Sequence, residues 1–438
     1  MKPWLNRIAS AFRSDGFIRN VSILAGGAAL GQLLALLASP LLSRLYSPDD
    51  FGTLGVYASI LGVLGVAANM RYELAIPLSE DETLASNTLA LSLALTAGLG
   101  LVAGVCVLLF SDELVALTGT PALADLTFLI PIGVVAIGTY TALNYWAIRQ
   151  RAFGVIARTK LNQGASGALV QVGLGAIGLV PLGLLVGQVV GQTAGIATLA
   201  RLAVRMPMRR VSLSGMLRAF KRYQRFPKYS LPGAVMNNAS LSLPALLVAA
   251  LYGPAVAGLF YFMQRVLRAP LALVGQSVSQ VYYGEASHLA QTAPEALLRL
   301  HSQTAKRLLG LVIVPILVLA VAGPSIFAFV FGTEWKAAGE YAQLMAPFML
   351  AQFVIAPLSQ TFSLLEAQRL LVIVNAFKLA SAVVPLLAAY YLGFSSTVAI
   401  GTYSLAVTFN YLIIYFVSRA LIRQKVSAQA GVPPEVPG

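Results

Sequence analysis

From Leu84 to Phe110 the chain carries no charged side chain. As a helix, at 1.5 Å per residue, that stretch is about 40 Å long, more than the ~30 Å hydrocarbon core of a bilayer. Backbone polar groups left unpaired in oil cost several kcal/mol each, so such a run crosses a membrane as a helix. Similar runs recur along the sequence. They predict twelve spans, at residues 21–43, 51–70, 84–110, 123–147, 161–181, 183–203, 230–252, 254–282, 308–332, 341–365, 370–391 and 396–418. Only 11% of the 438 residues are charged, against roughly 25% in a soluble domain. The expected class is an all-α integral membrane protein.

The placement of Lys and Arg gives the orientation. With the N-terminus in the cytoplasm, 25 of the 30 fall on cytoplasmic segments and only Arg44 and Lys336 on the other side. Arg265, Arg268 and Lys378 lie inside spans. Adding or removing one helix destroys this bias, so both termini read as cytoplasmic in a bacterial inner membrane. Trp4 and Trp146 fall at the cytoplasmic interface and Trp335 at the opposite one, where amphipathic rings prefer to sit. The net charge of +14 therefore tracks membrane side, which excludes a nucleic-acid partner. The single cysteine, Cys106, excludes a disulfide framework and a cysteine zinc site. His288 and His301 read as a polar loop, so no metal site, catalytic group or cofactor is expected. The first apolar run is too long for a cleavable signal peptide.

LYSPDDFG at 45–52 returns as LYGPAVAG at 251–258, with Leu, Tyr, Pro and Gly at the same spacing. Six spans, a basic linker and six more spans imply two lobes related by a parallel pseudo-twofold repeat. The layout is an amphipathic N-terminal segment (1–20), an N-lobe (21–203), a cytoplasmic linker (204–229), a C-lobe (230–418) and a cytoplasmic tail (419–438), unstructured from 426. In the first copy Ser47 suits an N-cap, Pro48 the first helical position, and Asp49 and Asp50 the positive helix end. Tyr46 is expected among headgroups. In the linker, Leu213, Met216, Leu217 and Phe220 recur at helical spacing beside Arg218, Lys221, Arg222 and Arg225. That pattern suits either a basic amphipathic helix on anionic lipid or a solvated loop. Gly183, Gly187, Gly191 and Gly195 remove one helical stripe of side chains, a packing signal, with Gln188 and Gln192 alongside.

Four stretches carry a family resemblance: SPLLSRLYSPDDFGTLGVYAS (39–59), RYELAIPLSEDETLASNTLALS (71–92), NYWAIRQRAFGVIARTKLNQG (144–164) and GPAVAGLFYFMQRVLRAPLALVGQSVSQVYYGEAS (253–287). They resemble the polysaccharide biosynthesis proteins that include the Wzx-type O-antigen flippases, within the multidrug/oligosaccharidyl-lipid/polysaccharide (MOP) exporter superfamily. The resemblance implies two six-helix lobes around a central cavity and alternating access by rocking of the lobes. It implies a cargo of undecaprenyl-pyrophosphate-linked oligosaccharide, with a polysaccharide polymerase and a chain-length regulator as partners beside membrane lipids.

Moving such a lipid needs no covalent step. It needs cations for the pyrophosphate and amides, hydroxyls or aromatic faces for sugars. Arg265 and Arg268 lie about 16 and 21 Å past Pro254 along a helix and share a face. An intramembrane charge marks function by default, and arginine's fork matches phosphate; pairing with carbonyls, a carboxylate or headgroups is the structural alternative. Lys378 lies about 14 Å past Arg369, with Asn375 one turn before it. Asn237, Asn238, Ser240 and Ser242 make the seventh span polar, for sugar, cation or interhelical bonding. Gln264, Gln276, Gln280 and Gln32 extend a polar lining, and Tyr140, Tyr145 and Tyr261 are candidate stacking faces. Arg71 and Glu73 are a candidate cytoplasmic gate. No acid occupies the middle of a span, which disfavours a carboxylate proton relay; a sodium or proton gradient remains open as the coupling ion. The expected function is a lipid-linked oligosaccharide flippase and not an enzyme. The alternatives are a drug/cation antiporter, which favours cavity acids, and a glycan polymerase or ligase, which needs a larger loop than the ~10 residues found on the far side.

Overall fold

A computed structural model describes residues 15–204, 211–365 and 367–429, with no strand among them. Residues 1–14, including Trp4 and most of the expected amphipathic segment, lie outside the described residues, as do 205–210, 366 and 430–438. The chain divides into two compact units, Met1–Val235 and Met236–Gly438.

The first unit holds α1 (Asp15–Leu37), α2 (Ser39–Leu45), α3 (Pro48–Ala67), α4 (Glu82–Thr118), α5 (Leu129–Arg149), α6 (Phe153–Ala176), α7 (Leu182–Thr193), α8 (Ile196–Val204) and α9 (Leu213–Arg222). Helix α10 (Leu231–Tyr252) begins at its end. The second unit continues with α11 (Pro254–Thr292), α12 (Pro294–Phe331), α13 (Lys336–Ile355), α14 (Gln360–Leu364), α15 (Gln368–Tyr391) and α16 (Ser396–Gln429).

Ten helical stretches among the described residues are long and apolar enough to cross a membrane, making this a multi-pass membrane protein. Two of the twelve expected spans fall on α6 and α11. Both are long enough, at 24 and 39 residues, but their polar side chains keep them below the hydropathy of the rest. Several boundaries differ from the apolar windows. The sixth span is two helices, broken where Gly195 takes φ +101°. The third passes a non-helical Phe110 (φ −131°, ψ 26°) and runs on to Thr118. Residues 419–429, expected as tail, continue α16.

Between helices in oil there is no hydrophobic drive, so close approach and interhelical hydrogen bonds hold them together. The glycine stripe supplies the approach. A Cβ on Gly187 would stand 3.0 Å from the Gly167 carbonyl oxygen, and one on Gly191 3.4 Å from the Gly167 Cα, so α6 and α7 touch along their backbones. Tyr46 closes the same seam. It is 3% exposed, its hydroxyl donates to the Gln171 carbonyl at 2.6 Å, and its ring fills the space left by Gly175 and Gly183. The expectation of a headgroup tyrosine is thereby corrected: missing side chains on α6 and α7 make a slot that an aromatic ring fills. The start of α3 is as its residues dictate. Ser47 Oγ accepts from the Asp50 N–H, and Asp50 Oδ2 accepts from the Ser47 N–H at 2.8 Å, a reciprocal capping box. At the second copy of the repeat Gly253 takes φ +89° with no side-chain cap.

In the second unit α12 packs on α13, α13 on α16, and α15 on α16. Phe262 and Trp335, centroids 4.1 Å apart, are both fully buried. The two histidines stand in helices and not in a polar loop. His301 on α12 is fully buried, its Nε2 2.9 Å from the Ser418 Oγ and its ring 5.1 Å from that of Tyr415. The physical reason is that α11 and α12 run beyond their apolar windows. Their extensions bury Tyr282, Ala286, Leu297 and Ala305 with Leu358 and Ile422 in a local core.

Candidate functional site

Helix α11 starts at Pro254, whose missing N–H costs nothing at a first helical position. It then carries Gln264, Arg265 and Arg268. Gln264 and Arg268 are i, i+4 and share a face. Gln264 is 5% exposed with a buried Nε2 that has no partner, and the Arg268 Nη2 is likewise buried and unpartnered. Arg265 is half-buried beside them. Tyr261, one turn before Arg265, and Tyr403 on α16 both lie within electrostatic reach of Arg268.

Arg268 reaches the wall of a cavity of about 340 Å³ inside the second unit. Leu241 of α10, Leu271 and Gly275 of α11, Phe353 of α13 and the Ala356–Pro357 turn make its apolar walls, and Ser279 and Gln352 add polar groups. The turn exists because α13 ends at Ile355 and Ala356–Ser359 tightens to a 3₁₀ helix around Pro357. A Cβ on Gly275 would meet nothing within 4 Å, so this glycine leaves the cavity open. Gln360 Nε2 donates to the Ser279 Oγ at 3.3 Å and fixes the polar end. The side chains of Gln276 and Gln280 lie outside what is described.

A second grouping in the same unit joins Lys378, Asn237 and Tyr411. The Lys378 Nζ donates to the Asn237 Oδ1 at 3.4 Å and stands 5.6 Å from the centroid of the Tyr411 ring. Three helices, α15, α10 and α16, meet there. Asn238 is half-buried on α10. Neither Lys378 nor Asn237 lines the Arg268 cavity as described, so the expected binding residues form two places and not one.

Arg71 and Glu73 belong to the first unit. After α3 the chain turns sharply, with Met70 and Arg71 at φ 48° and 66°. Arg71 Nη1 is 3.4 Å from Glu73 Oε1, and its Nε donates to the Ser230 Oγ at 3.4 Å. Glu73 is almost wholly buried, and its Oε2 has no partner. Burial pushes its carboxyl above the usual range, against a backbone hydrogen bond and Arg71, which pull it down. Arg149 braces the same turn, donating to the carbonyls of Ile76 and Ser79 at 3.2 and 2.7 Å. No group of three or more metal-ligating side chains occurs among the described residues.

The aromatic residues divide. Tyr140 hydrogen-bonds Thr159 at 2.9 Å, with the Lys160 Nζ 4.7 Å from its ring centroid; Lys160, placed by the sequence in a loop, stands on α6. Gln32 is exposed. Of the cavity residues only Arg268 was anticipated; Leu241, Leu271, Gly275, Ser279, Gln352, Phe353, Ala356 and Pro357 were not. Gln352 had a signal, a lone amide in an apolar window. Leu241 and Phe353 had none.

The family model for polysaccharide biosynthesis proteins matches residues 41–340. The chain belongs to that family. No curated protein sequence matches this family member significantly. Among solved structures, it is similar to lipid II flippase MurJ in an inward closed conformation, with TM-score 0.72, 12% identity, and 94% of this chain and 88% of that one covered. An inward-facing multidrug resistance MATE family transporter of the MOP superfamily gives TM-score 0.69 at 15% identity, covering 92% and 96%. A MOP superfamily transporter from Pyrococcus furiosus, described as having a binding pocket of reverse polarity, gives TM-score 0.58 at 15% identity, covering 93% and 96%. At these identities the likeness is one of fold: this polysaccharide biosynthesis protein has the fold of MOP superfamily transporters.

Proposed function

We propose that the protein is a flippase that carries an undecaprenyl-pyrophosphate-linked oligosaccharide from the cytoplasmic to the periplasmic face of a bacterial inner membrane by alternating access. Twelve spans in two lobes and cytoplasmic termini belong to this proposal. The observation that carries it is the buried, unpartnered Arg268 Nη2 at the wall of a largely apolar cavity. A buried donor without an acceptor costs on the order of 1–3 kcal/mol, and a phosphate oxygen repays that cost with a charge-assisted bond. The apolar walls suit the start of a prenyl chain, while Gln264, Ser279 and Gln352 suit oxygens. Lys378 and Asn237 are proposed to meet the sugars or the second phosphate, and Arg71 with Glu73 to act at the cytoplasmic rim. A cavity with a cation and no carboxylate among its described lining residues favours this cargo over an organic cation.

The test uses cells lacking the native protein and complemented with variants. Arg268→Ala is expected to insert at normal abundance and to accumulate lipid-linked oligosaccharide on the cytoplasmic face, while Arg268→Lys restores part of the flux. Gly275→Leu, whose Cβ would meet nothing within 4 Å, places its side chain in the cavity and is expected to block flux with the fold intact. Normal surface polysaccharide in both Arg268→Ala and Gly275→Leu overturns the proposal.

A further inference from the structure

Helix α9 is held to the first unit by one edge only. Ser212 caps it by accepting from the Gly215 N–H at 3.1 Å, and the Ser212 N–H donates to the Asn87 Oδ1 at 3.0 Å. Gly215 and Ala219 are buried, with Asn87 filling the place of a side chain at Gly215. Tyr72 donates to the Phe220 carbonyl at 3.1 Å and stacks on its ring at 5.6 Å. Arg222 pairs with Glu80 at 2.8 Å, and the Tyr223 hydroxyl meets the Ser79 Oγ at 3.3 Å. These partners all sit on the first turns of α4 and on the turn between α3 and α4. Helix α9 therefore lies at the level where two apolar spans leave the bilayer.

Beyond that edge most of the helix surface is exposed, although Phe220 stacks on Tyr72 and Arg222 pairs with Glu80. Leu213 is 83% exposed, Leu217 54% and Phe220 43%. At about 100° per residue these three form one stripe, with the docked edge of Gly215, Met216 and Ala219 on one side of it. On the other side come Lys221, Arg218 and Arg222, and the chain adds exposed Arg225, Lys228 and Tyr229 beyond. An apolar stripe set between a protein-facing edge and a basic face is the section of a helix lying in a membrane interface.

We propose that α9 is an anionic-lipid site: Leu213, Leu217 and Phe220 enter the acyl boundary, and Arg218, Lys221 and Arg225 bind acidic phospholipid headgroups. Charge complementarity selects this occupant, because each Lys or Arg held near an anionic surface adds attraction that a zwitterionic surface does not supply. Through Tyr72, Ser79 and Glu80, the same contact holds the turn that carries Arg71 and Glu73. The site does not depend on which cargo the protein moves.

The test places one probe on the stripe. Leu217→Cys, in a Cys106→Ala background, is labelled with an environment-sensitive fluorophore and placed in nanodiscs of phosphatidylcholine alone or mixed with phosphatidylglycerol, with a nitroxide-labelled lipid as quencher. Quenching is expected to be at least about twofold stronger with phosphatidylglycerol and to fall to the phosphatidylcholine level in Arg218→Gln/Lys221→Gln/Arg225→Gln. That variant leaves the docked edge and the Arg222–Glu80 pair untouched, so thermal stability in detergent is expected to stay unchanged and separates lipid binding from misfolding. Equal quenching in both lipids, or quenching that survives the triple substitution, overturns the proposal. So does a probe shielded in native membrane vesicles but unquenched in nanodiscs, which assigns the face to an acidic protein.

Discussion

Lys378 and Asn237, 141 positions apart, meet side chain to side chain: the ammonium donates to the amide oxygen at 3.4 Å above the ring of Tyr411. With no carboxylate partner among the described residues, the ammonium uses an amide and an aromatic face instead, and both are directional. The pair therefore fixes α10 against α15. A double-mutant cycle of Lys378→Met and Asn237→Ala, followed by unfolding in detergent, is expected to give a coupling energy of about 0.5–2 kcal/mol. A coupling indistinguishable from zero means that the two do not hold each other.

The seam between α6 and α7 leaves no room for a side chain at Gly187, whose added Cβ would stand 3.0 Å from the Gly167 carbonyl. Overpacking of this kind typically costs about 1–3 kcal/mol. Gly187→Leu is expected to lower the thermal midpoint and the yield of monodisperse protein, whereas Gly275→Leu is expected to change neither.

At Ser47 the expected cost comes from lost capping. Ser47→Ala removes the acceptor for the Asp50 N–H and the hydroxyl bond to Asp50 at 2.8 Å. Helix caps of this kind contribute about 1 kcal/mol, so the thermal midpoint is expected to drop slightly. Ser47→Thr is expected to restore most of it.

Glu73 makes stability depend on pH. Burial raises its carboxyl pKa in the folded protein above the ordinary glutamate value, so the fold binds this proton more tightly than the unfolded chain does. The stabilisation is fully present below that ordinary value and is lost as pH rises through the higher folded value. Relative to the wild type, Glu73→Gln is expected to flatten the thermal midpoint against pH between the unfolded and the folded value. An unchanged slope means that Glu73 is not the titrating group.

Much of the fold was legible because bilayers impose one rule that a sequence cannot hide. Uncharged runs of sufficient length become helices, and Ser47, Pro48 and Asp50 mark a start as they would in water. The glycine stripe was readable because a missing side chain acts through its own position. What the sequence concealed depends on partners. Tyr46 carries an interface residue's chemistry, but the slot at Gly175 and Gly183 buries it. His301 sits among polar neighbours, yet the continued periodicity of α12 turns it inward onto Ser418. Arg268 was visible as a charge in an apolar run. The cavity it faces was not, because Leu241, Phe353 and Pro357 look like any other apolar residues until three segments converge.

Ser279 lies 25 residues after Pro254, about 38 Å along α11, while Arg268 lies about 21 Å along it. A hydrocarbon layer of ~30 Å ends between them. With Pro254 at one face of such a layer, the cavity would be a threshold, its arginine within the oil and its hydroxyl at the level of the headgroups. On the flippase reading, an amphiphile resting in that leaflet would have its polar part at the height of Ser279 and its chain at the height of the apolar walls. Under the proposed function such a molecule would keep its hydration at that height, and its loss of water would be deferred until Arg268 came within reach to replace it.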